Sequence, residues 1–137
     1  MIRDAHFHSR LSRDDRGSLG FEFALAMPIL VTLMLGILQF GMALHASGAM
    51  RNAMGEGLRL YKVDRSVTAT EVYAETKDEL VGVDQKGIQS LVFTSGTAAN
   101  GASYGKLVMK YTLEPLLPFA PVPDIELVEE KYVYLQV

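Results

Sequence analysis

The sequence predicts an α+β chain: a long N-terminal transmembrane helix that continues into a small domain with a short second helix and about three antiparallel strands. An uncharged apolar run of about 22 residues lies near the N-terminus, and a helical period continues beyond it. After a short capped segment the period changes to two, the spacing of strands.

The chain has 137 residues, of which little more than about 90 remain for a water-soluble core once the apolar run is set aside. A formal charge of −3, from 13 basic and 16 acidic side chains, excludes a strongly basic nucleic-acid binder. No Lys or Arg run is interleaved with aromatics, so nucleic acid is not an expected partner. The absence of cysteine removes disulfides, thiol catalysis and cysteine-ligated metal sites, and says nothing of compartment.

Residues 23–44, FALAMPILVTLMLGILQFGMAL, contain no charge and only Thr32 and Gln39 as polar side chains. As a helix they extend roughly 33 Å at about 1.5 Å per residue, enough for a hydrocarbon core of about 30 Å. A core helix of a soluble protein would need a larger and less polar domain around it than the remaining chain supplies. Pro28 removes one helical hydrogen bond and predicts a kink, while Gly36, Gly41 and Gly48 allow close approach of a neighbouring helix. Arg3, Arg10, Arg13 and Arg16 before the span are matched by Arg51, Arg59, Lys62 and Arg65 after it, so the positive-inside count does not set orientation. Arg13 and Arg16 lie nearest the apolar run, which favours a cytoplasmic N-terminus.

Residues 1–17 are polar and lack periodicity, as in a leader or tail. Beyond the span, Met50, Met54, Leu58 and Tyr61 repeat at helical spacing, with Arg51, Asn52, Glu56 and Arg59 on other faces, so one helix is expected over 18–61. Thr68 with Glu71 three residues on forms a capping box for a second helix over 68–82. GIQSLVF, residues 87–93, is strand-like; residues 94–105 are small and turn-rich, a loop. In KLVMKYTLE, Leu107, Met109, Tyr111 and Leu113 alternate with Val108, Lys110, Thr112 and Glu114. The Pro-rich residues 115–123 cannot lie inside a sheet and must cross it as an extended segment. Within it Leu116, Leu117, Phe119 and Val122 are candidates for core packing, ahead of subunit contact. A terminal strand over 125–137 places Ile125, Leu127, Val133 and Leu135 in one phase. Residues 62–137 thus form a small α+β domain whose sheet packs its apolar face on the distal half of the long helix.

No enzyme is expected. His6 and His8 lie in the leader without a third ligand at useful spacing, and His45 falls where the span meets the headgroups. No nucleophile elbow or phosphate-binding loop occurs, and Glu129 with Glu130 is read as surface charge. No catalytic residue, metal, cofactor or small-molecule substrate is therefore predicted.

Glu22 stands at the mouth of the apolar run. An acidic residue at the middle of a membrane helix costs roughly 2.5–3.5 kcal/mol, less near its end. It is either the last polar residue before the span or a carboxylate awaiting a cation. Cutting between Gly17 and Ser18 would create one: an α-amino group with an ordinary pKa of about 7.7–8.0, strongly attracted to a carboxylate in a low-dielectric bundle.

RGSLGFEF, residues 16–23, resembles a class III, prepilin-type leader junction: a polar leader ending in Gly17, a new first residue Ser18, then Glu22 and Phe23 before the apolar helix. More narrowly, DRGSLGFEFALAMPILVTLMLGILQFGMALHASGAMRNAMGEGLR resembles the TadE-like pseudopilins of tight-adherence, Flp-type pilus systems, with Pro28 early in the span. The distal VMKYTLEPLLPFAPVPDIELVEE resembles that family's ending. The resemblance implies a pilin-like fold and cleavage at Gly17/Ser18 by a prepilin peptidase. Glu22, Phe23 and Pro28 would serve processing and helix assembly. It also implies a single-pass inner-membrane protein with a periplasmic C-terminal domain and other pilin-like subunits as partners, supporting pilus biogenesis, adhesion and biofilm formation. The sequence departs from the pattern at Gln39, where an acidic residue is expected, which counts against a second charge-based contact there. The alternatives are a binding domain released by an ordinary secretory signal and a simple single-pass anchor.

Overall fold

The computed structural model describes residues 16–116 and 123–135, with side chains from residue 19. Helix α1, Arg16–Val63, runs unbroken through Pro28. Thr32 donates its hydroxyl to the Pro28 carbonyl at 2.8 Å, a back-bond that keeps this polar group satisfied within its own helix. The chain divides into two compact units, Met1–Ile37 and Leu38–Val137. In the first, the large apolar side chains from Leu19 to Ile37 that face outward include Phe21, Phe23, Ile29 and Leu33. The helix is long and apolar enough to cross a membrane.

In the second unit, α1 is followed by α2, Ala69–Asp78, a single 3₁₀ turn, Gln85–Gly87, and strands β1, Ile88–Thr97, β2, Ser103–Leu113, and β3, Ile125–Leu135. The expected capping box is present. Glu71 N–H donates to Thr68 Oγ1, and Thr68 N–H donates to Glu71 Oε2 at 2.7 Å. Helix α2 stops at Asp78, short of the expected residue 82. Leu80 turns back into the core, Gly82 takes a positive φ of 77°, and the Lys77 carbonyl accepts both the Leu80 N–H at 3.3 Å and Gln85 Nε2 at 2.8 Å.

The three strands form an antiparallel sheet in the order β1-β2-β3. Leu107, Met109, Tyr111 and Leu113 are all buried, as their alternation predicts. They pack on Met50, Ala53, Met54 and Leu58 of α1, with Val72 of α2 and Leu80 completing the core. In β3, Ile125, Leu127 and Val133 are partly buried and Leu135 buried, whereas Val128, Tyr132 and Tyr134 face out.

The loop expected over 94–105 is mostly strand. β1 and β2 pair as far as Thr97 with Ser103, leaving a tight turn in which Gly101 N–H donates to the Ala98 carbonyl at 2.9 Å and Ala98 N–H to the Ala102 carbonyl at 2.8 Å. Aromatic rings explain why glycines are kept in a strand here. A Cβ on Gly105 would lie 2.8 Å from the Tyr61 ring, and one on Gly96 would lie 3.2 Å from the Tyr104 hydroxyl. Local composition suggests a loop; the Tyr61 ring that covers Gly105 comes from α1, far away in the chain.

Close helix approach also falls at an unexpected glycine. A Cβ on Gly36, Gly41 or Gly48 would meet nothing within 4 Å among the described residues. A Cβ on Gly57 would collide with Thr76 Oγ1 and lie 3.1 Å from the Val72 carbonyl, so Gly57 is where α2 sits down on α1. Leu116 is 37 % exposed. Leu117, Phe119 and Val122, and the leader with His6 and His8, lie outside the described residues.

Candidate functional site

Two regions of α1 carry the polar groups that this fold must manage: the N-terminal junction, and the face that meets the sheet. At the junction, Gly17 and Ser18 occupy the first turn of α1. Glu22 follows one turn later, four residues beyond Ser18 and on the same helical face. Phe21, Phe23 and Leu25 around it are exposed, so the acidic residue is set in an apolar helical surface.

At the sheet-facing region, Gln39 is only 9 % exposed. Its Nε2 donates to the Glu114 carbonyl at 3.2 Å, and its Oε1 accepts the Leu116 N–H at 2.6 Å. The strand β2 has just ended at Leu113, so these backbone groups have no ladder partner. An amide is the side chain that can donate to one and accept from the other; a carboxylate would place an anionic oxygen against a carbonyl. The departure at Gln39 is thereby explained for this chain. His45, two turns on, has its Nε2 3.3 Å from the Gly82 carbonyl.

Further along the same helix, Ser47 Oγ donates to Glu129 Oε1 and Arg51 Nε donates to Glu129 Oε2 at 2.7 Å. Lys131 Nζ donates to the Arg51 carbonyl at 2.8 Å. Glu129 was expected as surface charge, but its side chain is only 12 % exposed. Burial pushes its carboxyl pKa up, while the Arg51 and Ser47 hydrogen bonds and the Arg51 charge outweigh that and hold it below its ordinary value. Glu130, one residue on, points to the opposite face and pairs with Lys106 at 2.9 Å. The phase of β3 held the signal: Glu129 and Lys131 share parity with Ile125, Leu127 and Val133. The described residues hold no group of three or more His, Cys, Asp or Glu placed to bind a metal ion.

The fold and these sites define a class: a chain with one N-terminal helix apolar and long enough for a single membrane pass, carrying an α+β domain built on the later turns of that helix. A family model described as TadE-like protein matches residues 19–59, and over that stretch the resemblance seen in the sequence is borne out. The match begins just after Ser18 and ends before α2, so the junction and the strands lie outside it. No curated protein and no solved structure matches the chain. The TadE-like match suggests involvement in the tight-adherence pilus system, and the N-terminal helix fits a single-pass membrane protein.

Proposed function

We propose that this chain is a minor pilin-like component, a pseudopilin, of a tight-adherence type IV pilus assembly system. The observation that carries this reading is the TadE-like match over residues 19–59, which takes in the whole apolar run of a helix that also holds Gly17 and Ser18. In this reading a prepilin peptidase cuts between Gly17 and Ser18 on the cytoplasmic side. The helix stays in the inner membrane and the α+β domain lies in the periplasm. The new Ser18 ammonium is the cation for a Glu22 carboxylate, its own or that of a neighbouring pilin-like subunit. Phe23 and Pro28 shape the helix surface that packs with those subunits. The role is structural and not enzymatic, and it supports pilus biogenesis, surface adhesion and biofilm formation.

The mature N-terminus tests this directly. Intact-mass or N-terminal analysis of protein from cells carrying the pilus system should find a chain starting at Ser18, and Gly17→Arg should leave it uncut. A start near residue 49, or an uncut wild-type chain, would sink the proposal, the former in favour of a secreted domain. Glu22→Ala should abolish pili while the protein remains in the membrane; normal piliation would leave a simple anchor as the better description.

A further inference from the structure

The second unit holds an open cavity of about 650 Å3 between α1 at residues 42–46, the turn at residues 82–87 and the end of β2. That volume lies within the roughly 300–1,000 Å3 of small-molecule sites. Its lining carries three carboxylates, Asp84, Glu114 and Asp124, against one lysine, Lys86, and the imidazole of His45. Carboxylates alone would be ordinary solvated surface. The group that asks for a ligand is Tyr111, which is only 4 % exposed yet also lines the cavity. Its ring tip is pressed against Gly87, where a Cβ would stand 2.7 Å from the hydroxyl oxygen. That hydroxyl makes no hydrogen bond to any of the described residues, and it is not sealed from the cavity. Burial, with the charges of Asp84 and Glu114, raises its pKa, so it remains a neutral hydroxyl able to accept and to donate.

The surroundings of the cavity limit what could fill it. Leu38, Phe40, Met42 and Leu44, all of this unit, expose their side chains, and so in part does Leu116 across the cavity. Apolar surface that gives way to acceptors and a lysine within a few residues matches the boundary between hydrocarbon and headgroups. Charge then selects the headgroup. Three carboxylates disfavour a purely anionic one. A quaternary ammonium brings charge without N–H donors, whereas a primary ammonium has three donors for the acceptors present.

We propose that this cavity binds the headgroup of a phospholipid with a primary ammonium, of the phosphatidylethanolamine class. The ammonium would lie among the Tyr111 hydroxyl and the Asp84 and Glu114 carboxylates, the phosphate toward Lys86, and the acyl chains along Met42 and Leu116. The inference rests on α1 being membrane-embedded and not on any role in a pilus.

The full chain reconstituted in vesicles of equimolar phosphatidylethanolamine, phosphatidylcholine and phosphatidylglycerol with matched acyl chains, then extracted in mild detergent, tests it by mass spectrometry of the lipids that co-purify. Phosphatidylethanolamine should be enriched over phosphatidylcholine about fivefold, the size of one partly solvated charge-assisted hydrogen bond. Tyr111→Phe should reduce that ratio. The surface double substitution Asp84→Asn with Glu114→Gln, which leaves the core untouched, should bring it close to unity. Equal retention of the two lipids by the wild type, preferential retention of phosphatidylglycerol, or full enrichment in the double variant overturns the proposal. A cavity that serves a basic protein segment instead would show no ethanolamine preference and fail by the same readout. Carbonate extraction of the same vesicles separates the two assumptions: release of the chain removes the membrane assignment and the proposal together, and retention without lipid preference removes the proposal alone.

Discussion

Gln39 accepts the Leu116 N–H at 2.6 Å and donates to the Glu114 carbonyl at 3.2 Å, tying a turn of α1 to the point where β2 ends. Both backbone groups have left the sheet ladder, so the side chain does for them what a further strand residue would do. Gln39→Glu replaces the donor with an anionic oxygen facing a carbonyl, and Gln39→Leu leaves both backbone groups unpaired. Either should cost about 1–3 kcal/mol, the penalty for a buried polar group without its partner. Hydrogen exchange should read the change locally as lost protection of the Leu116 amide. Unchanged protection in both variants would show that the amide is dispensable.

Glu129 predicts a pH dependence with a definite sign. Its folded-state pKa is held below its ordinary value of 4.5, so its contribution is fully present above the unfolded-state pKa and is lost as pH falls through the lower folded-state pKa. The thermal midpoint of the full chain in detergent should therefore drop as pH falls below about 4.5. Glu129→Gln, which keeps the shape and cannot titrate, should flatten that part of the profile. A profile identical to wild type would mean that other carboxylates carry the acid sensitivity.

Arg51 is expected to matter less than Glu129, although the two are paired. Its side chain is 68 % exposed, so Arg51→Ala removes a largely solvated partner and should cost less than the loss of Glu129. Glu129→Ala strips the partner from Ser47 as well and should cost about 1–3 kcal/mol. Urea denaturation of both variants decides the order, and a larger loss for Arg51→Ala would contradict the burial argument.

Gly57→Ala sets two effects against each other. Helix propensity alone favours alanine by about 1 kcal/mol. The new methyl, however, collides with Thr76 Oγ1, on a fully buried side chain whose hydroxyl is already held by the Val72 carbonyl at 2.7 Å. Overpacking of this kind costs about 1–3 kcal/mol, so net destabilisation is expected. Thr76→Ala in the same chain removes the colliding oxygen and should recover part of the loss. Additive effects of the two changes would mean that the helices do not meet there.

Thr68 should behave as an ordinary N-cap. Thr68→Ala removes the hydroxyl half of the capping box, leaving only the backbone N–H of residue 68 on Glu71, and should cost about 1 kcal/mol, with Thr68→Ser close to wild type. Loss of helical circular dichroism confined to α2, without loss of the sheet signal, would identify the cap as the cause.

Much of this architecture was legible because its signals are local. An uncharged run, a capping pair at Thr68 and Glu71, and the alternation from Leu107 to Leu113 each act within a few residues, and each element formed where its pattern stands. The paired glycines of β1 and β2 were not legible as strand, since Gly105 is there to fit the ring of Tyr61, more than forty residues away. The proposed junction at Gly17/Ser18 was readable only as a resemblance, because a processing signal would be read by another protein and need leave no mark on packing.

The sequence by itself determined the apolar helix, the capped start of α2 and the inward phase of β2. These follow from period, charge and capping, which a chain carries before it folds. Only the tertiary structure decided which polar side chains are structural. Gln39 and Glu129 look like interruptions of an apolar run and a charge run, and become bonded groups only when Leu116 or Arg51 is brought beside them. The free energy of a polar group depends on its partner and on the water it loses, and neither is written in its own neighbourhood of the chain.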